Sequence, residues 1–190
     1  CISSAASDVY KRQDIKVQDV DGNGVITTDD RIIYSQRPDV TFGFNNTFNY
    51  KGFDLSVFLY ARLGQWIAYD YNTTYRINAL ENGGNVDYWT PENPTNAFPR
   101  PNKSKSYTQV TYYSTLKYED GSFFKIRDIT LGYTFKPELL KHLNLSRLRV
   151  YATAKNFFTF SKIDNYDPEQ GGSISFPMTK QLVFGLNVEF

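Results

Sequence analysis

Histidine, cysteine and methionine each occur once in these 190 residues, which leaves little of the side-chain chemistry that most enzymes use. The histidine, His142, sits in the segment LLKHLNL, where a turn residue facing solvent is expected, and no Ser or Cys stands in a nucleophile context. No enzyme is predicted. Acidic pairs such as Asp29 and Asp30, or Asp164 and Asp167, fall in polar loops that collect carboxylates for solubility. An excess of charge is missing too: 21 Lys and Arg against 20 Asp and Glu give a net charge of +1, so no nucleic acid or other polyanion is implied as a partner. No apolar run approaches the roughly 20 residues that a membrane-spanning helix needs. Together with a mean hydropathy of −0.48, that first suggests a soluble protein. A β-barrel escapes this test, because its strands need only about 10 residues each and half of those face a polar lumen.

What the chain has in abundance is alternation, with aromatics at 17%. Ile129, Leu131, Tyr133 and Phe135 alternate with Asp128, Thr130, Gly132 and Thr134, the two-residue period of a strand with one apolar and one polar face. Leu148, Val150, Ala152, Ala154, Phe158 and Phe160 repeat the division, and so do Leu182, Phe184, Leu186, Val188 and Phe190. Upstream, Phe42, Phe44, Phe48 and Tyr50 lead through Lys51-Gly52 into Phe53, Leu55, Val57, Leu59 and Ala61, the pattern of a tight hairpin. The predicted fold class is all-β, an antiparallel up-and-down meander of about six strands near 14–18, 40–50, 53–65, 116–136, 148–160 and 179–190. A short helical turn is expected at 137–143, with Pro137 in its first position. Pro91, Pro94, Pro99 and Pro101 exclude a continuous strand or helix in the long stretch from 67 to about 115.

The connections sort by length. Those at 51–52 and 137–147 are short, those at 19–38, 66–115 and 161–178 are long, and the two kinds alternate. One edge of the sheet is therefore plain and the other elaborate, as in outer-membrane barrels with short periplasmic turns and long external loops. Aromatics near strand ends agree: Tyr50 and Phe53, Tyr133 and Phe135, and Phe157 to Phe160. The competing reading is a secreted carbohydrate-binding β-sandwich, in which Trp66, Tyr88 and Trp89 stack on sugar rings.

Two segments stand outside the strand pattern. Residues 1–13, CISSAASDVYKRQ, lead into no fold, and DVYKRQ is similar to a translated transposase sequencing adapter. They are expected to be a non-native leader to residues 14–190, the other reading being a mature lipoprotein acylated on Cys1. Residues 19–30, DVDGNGVITTDD, place Asp19, Asp21 and Asn23 at calcium-loop spacing, with Gly24 at the sharp turn, the Val25 carbonyl next, and Thr27 and Asp30 completing the shell. Asp30 stands where an EF-hand carries Glu, so a structural calcium of low affinity is the expectation; no other cofactor is. The same residues fit an Asp/Asn/Gly turn followed by a capped helical turn at Thr28–Ile33 that needs no metal.

The segments YWTPENPTNAFPR (88–100), YEDGSFFKIRDITLGYTF (118–135), LRVYATAKNFFTF (148–160), NYDPE (165–169) and the final FGLNVEF resemble part of the barrel of a SusC/RagA-type TonB-dependent outer-membrane transporter, towards its C-terminal end. The loop at 19–30 and the hairpin FNYKGFDLSVFLY are similar to the same family. The resemblance implies import of oligosaccharides or peptides across the cell outer membrane, through a 22-stranded barrel in contact with membrane lipid. It also implies a SusD-type lipoprotein partner and coupling to TonB through a part of the receptor outside this sequence. On this reading Trp66, Tyr88 and Trp89 are candidates for ligand or lid contact. Phe184, Leu186, Val188 and Phe190 resemble the row read by the barrel-assembly machinery.

Overall fold

The computed structural model describes residues 15, 17–74, 83–103, 113–141 and 144–190. His142 lies outside the described residues, as does the whole of the expected leader, 1–13. The described residues fall into two units, one within 35–66, 120–171 and 175–190 and the other made of those before 35, within 67–119 and at 172–174. Among the described residues seven strands follow one another: β1 (Val40–Tyr50), β2 (Phe53–Leu63), β3 (Trp66–Ala68), β4 (Tyr118–Asp120), β5 (Phe123–Thr134), β6 (Arg147–Ser161) and β7 (Gln181–Glu189). Five of them form one antiparallel sheet in the order β1-β2-β5-β6-β7, and β3 and β4 pair separately. The up-and-down meander is thus present, with short and long connections in alternation.

The β1–β2 connection shows why this order is favoured locally. Lys51 and Gly52 both have positive φ, 47° and 91°, the two-residue turn whose twist matches that of paired strands. Between β5 and β6 the helical turn α1 (Pro137–Leu140) has Pro at its start, where a missing N–H costs nothing.

Three expectations are corrected. Among the described residues of 14–18 there is no strand; the chain runs straight into a turn whose backbone bonds go to side chains, as when the Val20 N–H donates to Asp30 Oδ1 at 2.8 Å. The strand expected at 116–136 is broken into a 3-10 turn (Tyr113–Lys117), β4 and β5. There the Gly121 N–H donates to the Gln65 carbonyl (2.9 Å) and the Ser122 N–H to Asp120 Oδ1 (3.0 Å), which removes both donors from the ladder. The helical turn expected at Thr28–Ile33 shrinks to a 3-10 turn at Thr28–Asp30, capped by Thr27.

Register places every apolar set on one face. Phe48, Leu55, Leu131, Ala152 and Phe184 form one row across all five strands, and Asn46, Val57, Ile129, Ala154 and Leu182 form the next. Two further rows are dominated by rings. Tyr50, Phe53 and Tyr133 lie in register at the short-turn end, and Phe42, Ala61, Phe124 and Phe160 at the long-connection end. Rings touch within both, Phe53 with Tyr133 at 4.6 Å between centroids and Phe124 with Phe160 at 6.1 Å. This apolar face is bare: Leu131 is 51% exposed and Phe184 74%. The pleat directs Asp54, Ser56, Tyr60, Lys125, Thr130, Arg149 and Thr153 to the opposite, polar face.

Candidate functional site

Two charged groups on the polar face have the closest contacts, one towards each end of the strands. At the short-turn end, Arg149 of β6 reaches across β5 to Asp54 of β2, with Nε 2.9 Å from Oδ1 and Nη2 2.5 Å from Oδ2. The strand between them must offer no side chain, and it has Gly132 there: a Cβ on Gly132 would lie 2.5 Å from Arg149 Nη2 and from Asp54 Oδ1. The fork-on-fork geometry is the strong form of a charged hydrogen bond. The Arg149 guanidinium also stands 4.9 Å from the centre of the Tyr151 ring, and that ring covers Gly185 on β7. Thr47, Asn49, Asp54, Thr134, Arg147 and Arg149 line a cavity of about 520 Å³ here.

The second group centres on Lys125, whose Nζ is 2.6 Å from Asp167 Oδ2 and 2.8 Å from Glu169 Oε2. Arg127 adds a 3.3 Å pair to Glu169. Opposite β2, Phe58 pairs with Asp128 and the next residue, Leu59, with Ile126, which makes Arg127 the extra residue of a bulge. Neither group was singled out by sequence reasoning, although Arg127-Asp128, two polar residues in succession between Ile126 and Ile129, signals the bulge.

The loop at 19–30 does bring its acids together: carboxylate oxygens of Asp19, Asp21 and Asp30 lie within 4.8 Å of one another. Gly24, with φ of 81°, makes the sharp turn. Asp19 accepts from the Gly22 and Gly24 N–H groups (2.7 and 2.8 Å), Asn23 Oδ1 accepts from the Val25 N–H (2.7 Å), and Asp30 Oδ2 accepts from the Thr27 N–H (2.7 Å). The backbone donors from Thr27 and then Val20 hold the Asp30 carboxyl below the usual carboxylate range. Hard, anionic oxygens converging in one loop suit calcium, and the same bonds close the loop as a turn; the donor set fits the ion without requiring it.

The three loop aromatics do not share one environment. Tyr88 is 42% exposed, whereas Trp89 is buried at 5% and its backbone N–H donates to the Phe98 carbonyl at 3.0 Å, so Trp89 anchors its own loop. Trp66 is half-buried at the start of β3. In β7, Phe184, Leu186 and Val188 lie exposed on the apolar face, and Phe190 follows the strand.

No family model matches the chain. It is 31% identical over 195 residues to TonB-dependent receptor P3 of Formosa agariphila, a match that covers 90% of this chain and 18% of that protein. It is also 31% identical over 181 residues to TonB-dependent receptor SusC of Bacteroides thetaiotaomicron, covering 90% of this chain and 17% of SusC. In three dimensions it matches the RagAB peptide importer in its closed-closed state, with a TM-score of 0.69, 28% identity, and coverage of 90% of this chain and 20% of that one. The chain belongs to the SusC/RagA-type TonB-dependent receptors. It spans less than a fifth of the length of the receptor P3 and SusC sequences. Within such a receptor the five-stranded sheet is part of a large transmembrane barrel, so its bare apolar face meets lipid and its charged face meets the lumen.

Proposed function

We propose that this chain forms part of the wall of an outer-membrane importer for oligosaccharides or peptides, energised through TonB and closed by a SusD-type lipoprotein. The observation that carries this reading is the pairing of a bare apolar face with a charged, hydrogen-bonded one on a single sheet. A secreted sandwich would bury that apolar face against a second sheet, so its exposure favours the barrel wall over that alternative, which drew on the loop aromatics Trp66, Tyr88 and Trp89. The similarity to SusC and to a peptide importer supports nutrient import and leaves both substrate classes in play. No enzymatic role is proposed. Tyr88 and Trp66 are the proposed contacts for ligand or lid.

The deciding experiment is to recover the complete receptor gene with its neighbours and to measure uptake of labelled oligosaccharides and peptides with and without TonB. TonB-dependent uptake of one class, requiring an adjacent lipoprotein gene, is expected. Uptake unaffected by loss of TonB would sink the proposal.

The acidic loop is proposed as a weak structural calcium site held by Asp19, Asp21, Asn23, the Val25 carbonyl, Thr27 and Asp30. Calcium should raise the melting temperature of the complete receptor with an apparent Kd of about 10⁻⁴–10⁻³ M. The Asp19→Ala/Asp21→Ala double variant should lose that response; an unchanged response would leave the segment a turn. The row Phe184, Leu186, Val188 and Phe190 is proposed as an assembly signal. Phe190→Ala is expected to lower the amount of receptor inserted while the inserted molecules unfold as before. Equal insertion with easier unfolding would make Phe190 an interfacial anchor instead.

A further inference from the structure

Connections on the loop side of a barrel ordinarily carry their acids into water. The connection between β6 and β7 does the opposite with two of its own. Asp167 and Glu169 both turn to Lys125, which sits in the inward row of β5 with 0% of its surface exposed. Four details make this a built contact. Arg127 holds the second Glu169 oxygen at 3.3 Å, and the Thr159 hydroxyl of β6 donates to Asp167 Oδ2 at 3.4 Å. The other Asp167 oxygen accepts from the Glu169 N–H at 3.0 Å, which caps the 3-10 turn Pro168–Gln170 and fixes the spacing of the two carboxylates. Pro168, between them, is fully buried. At the start of the connection Ile163 is buried and Lys162 pairs with Asp120 at 2.9 Å. Asp120 is itself pulled down to about 2, chiefly by the Ser122 hydroxyl and N–H and then by Lys162.

We propose that residues 162–171 form a strap latched onto the inner wall of the barrel, with Lys125 as the positioning residue and Asp167 and Glu169 as its catch. The strap is part of the lumen profile rather than an outward loop, and its release would uncover the Lys125 and Arg127 cations. Charge decides whether it holds. A desolvated lysine is tolerable only while its carboxylates are in place, and removing either side takes from the other its shortest charged contact in a site withdrawn from water, so the latch opens as a unit. This rests on the assignment of the polar face to the lumen.

The test is proteinase K digestion of the complete receptor in detergent, with cleavages mapped by mass spectrometry and folding checked by heat-modifiable migration. Lys125→Met and, separately, the Asp167→Asn/Glu169→Gln double variant should each speed cleavage within 162–171 by about tenfold or more, because cleavage follows the population of the released form. Lys125→Arg and Lys155→Met, the latter at an inward lysine outside the latch, should stay within about twofold of the wild type. Folded Lys125→Met or double-variant receptor cleaved at the wild-type rate would overturn the latch. If Lys125→Met does not insert, the double variant decides alone, since its changes lie in the connection and not in a strand. Failure of the barrel assignment would show separately, as unmodified receptor that does not partition into membranes.

Discussion

Replacing Ile129 by Arg in the complete receptor is expected to destabilise the inserted barrel by about 2–4 kcal/mol, the cost of a cation near the bilayer midplane on a lipid-facing strand position. Ile129 belongs to the row Asn46, Val57, Ile129, Ala154 and Leu182. That row lies midway between the two ring-rich rows, so depth and face are both specified by register. Val188→Arg is the control. Val188 pairs with Leu148, beyond the row that holds Tyr50 and Phe53, where the same cation should cost only about 0–1 kcal/mol. Denaturant unfolding of receptor reconstituted in lipid vesicles measures both. Equal costs at the two positions would mean that this face does not lie in lipid, because a water-exposed arginine has no depth to report.

Three residues along the same strand, Gly132→Val is expected to lose about 1–3 kcal/mol, although strand propensity alone predicts a gain from valine. The Gly132 position is roofed by the Arg149–Asp54 pair, and an added Cβ would stand 2.5–2.6 Å from atoms of both side chains. Both charged groups are largely withdrawn from solvent, with side chains 18% and 22% exposed. Forcing them apart leaves two partly desolvated charges without their two-pronged contact. Arg149→Ala with Asp54→Ala removes the obstacle, and in that background Gly132→Val should become neutral or favourable. The unfolding free energies of the four receptors form a cycle whose coupling should be at least about 1 kcal/mol. Additive effects would show that the ion pair is not what requires a glycine at position 132.

The five long strands were legible because one face of each is predominantly apolar, and a period of two survives without knowledge of neighbours. Their bounds agree with the pattern to within about two residues except at β5, where backbone donors of Gly121 and Ser122 are diverted to Gln65 and Asp120. β3 and β4, three residues each, are too short for any period to show. The acidic loop was readable from spacing because its ligands are local, Asp19 and Asp30 being eleven positions apart. The charge groups of the lumen face were not. Lys125 meets Asp167 and Glu169 across 42 and 44 residues, and Arg149 meets Asp54 across 95, so their partners emerge only once register and bulges are known. Trp89 illustrates the same limit from the other side: its composition suits a binding loop, and its burial assigns it to holding that loop together.

The two ring-rich rows also carry a ruler. Phe42 and Tyr50 are the outermost rings on one face of β1, eight positions apart, which is about 27 Å along the strand at roughly 3.4 Å per residue and about 21 Å along the barrel axis at a tilt of roughly 40°. Rings of this kind settle at the headgroup level, so the distance between them sets the thickness of hydrocarbon that this wall accepts. The value is short of an average bilayer and suits the thinner bacterial outer membrane. A bilayer several ångströms thicker would have to thin around the wall at a cost of fractions of a kcal/mol per ångström. Membrane choice is therefore written into where Phe42, Tyr50, Phe53, Phe124, Tyr133 and Phe160 stand along their strands, independently of what the lumen carries.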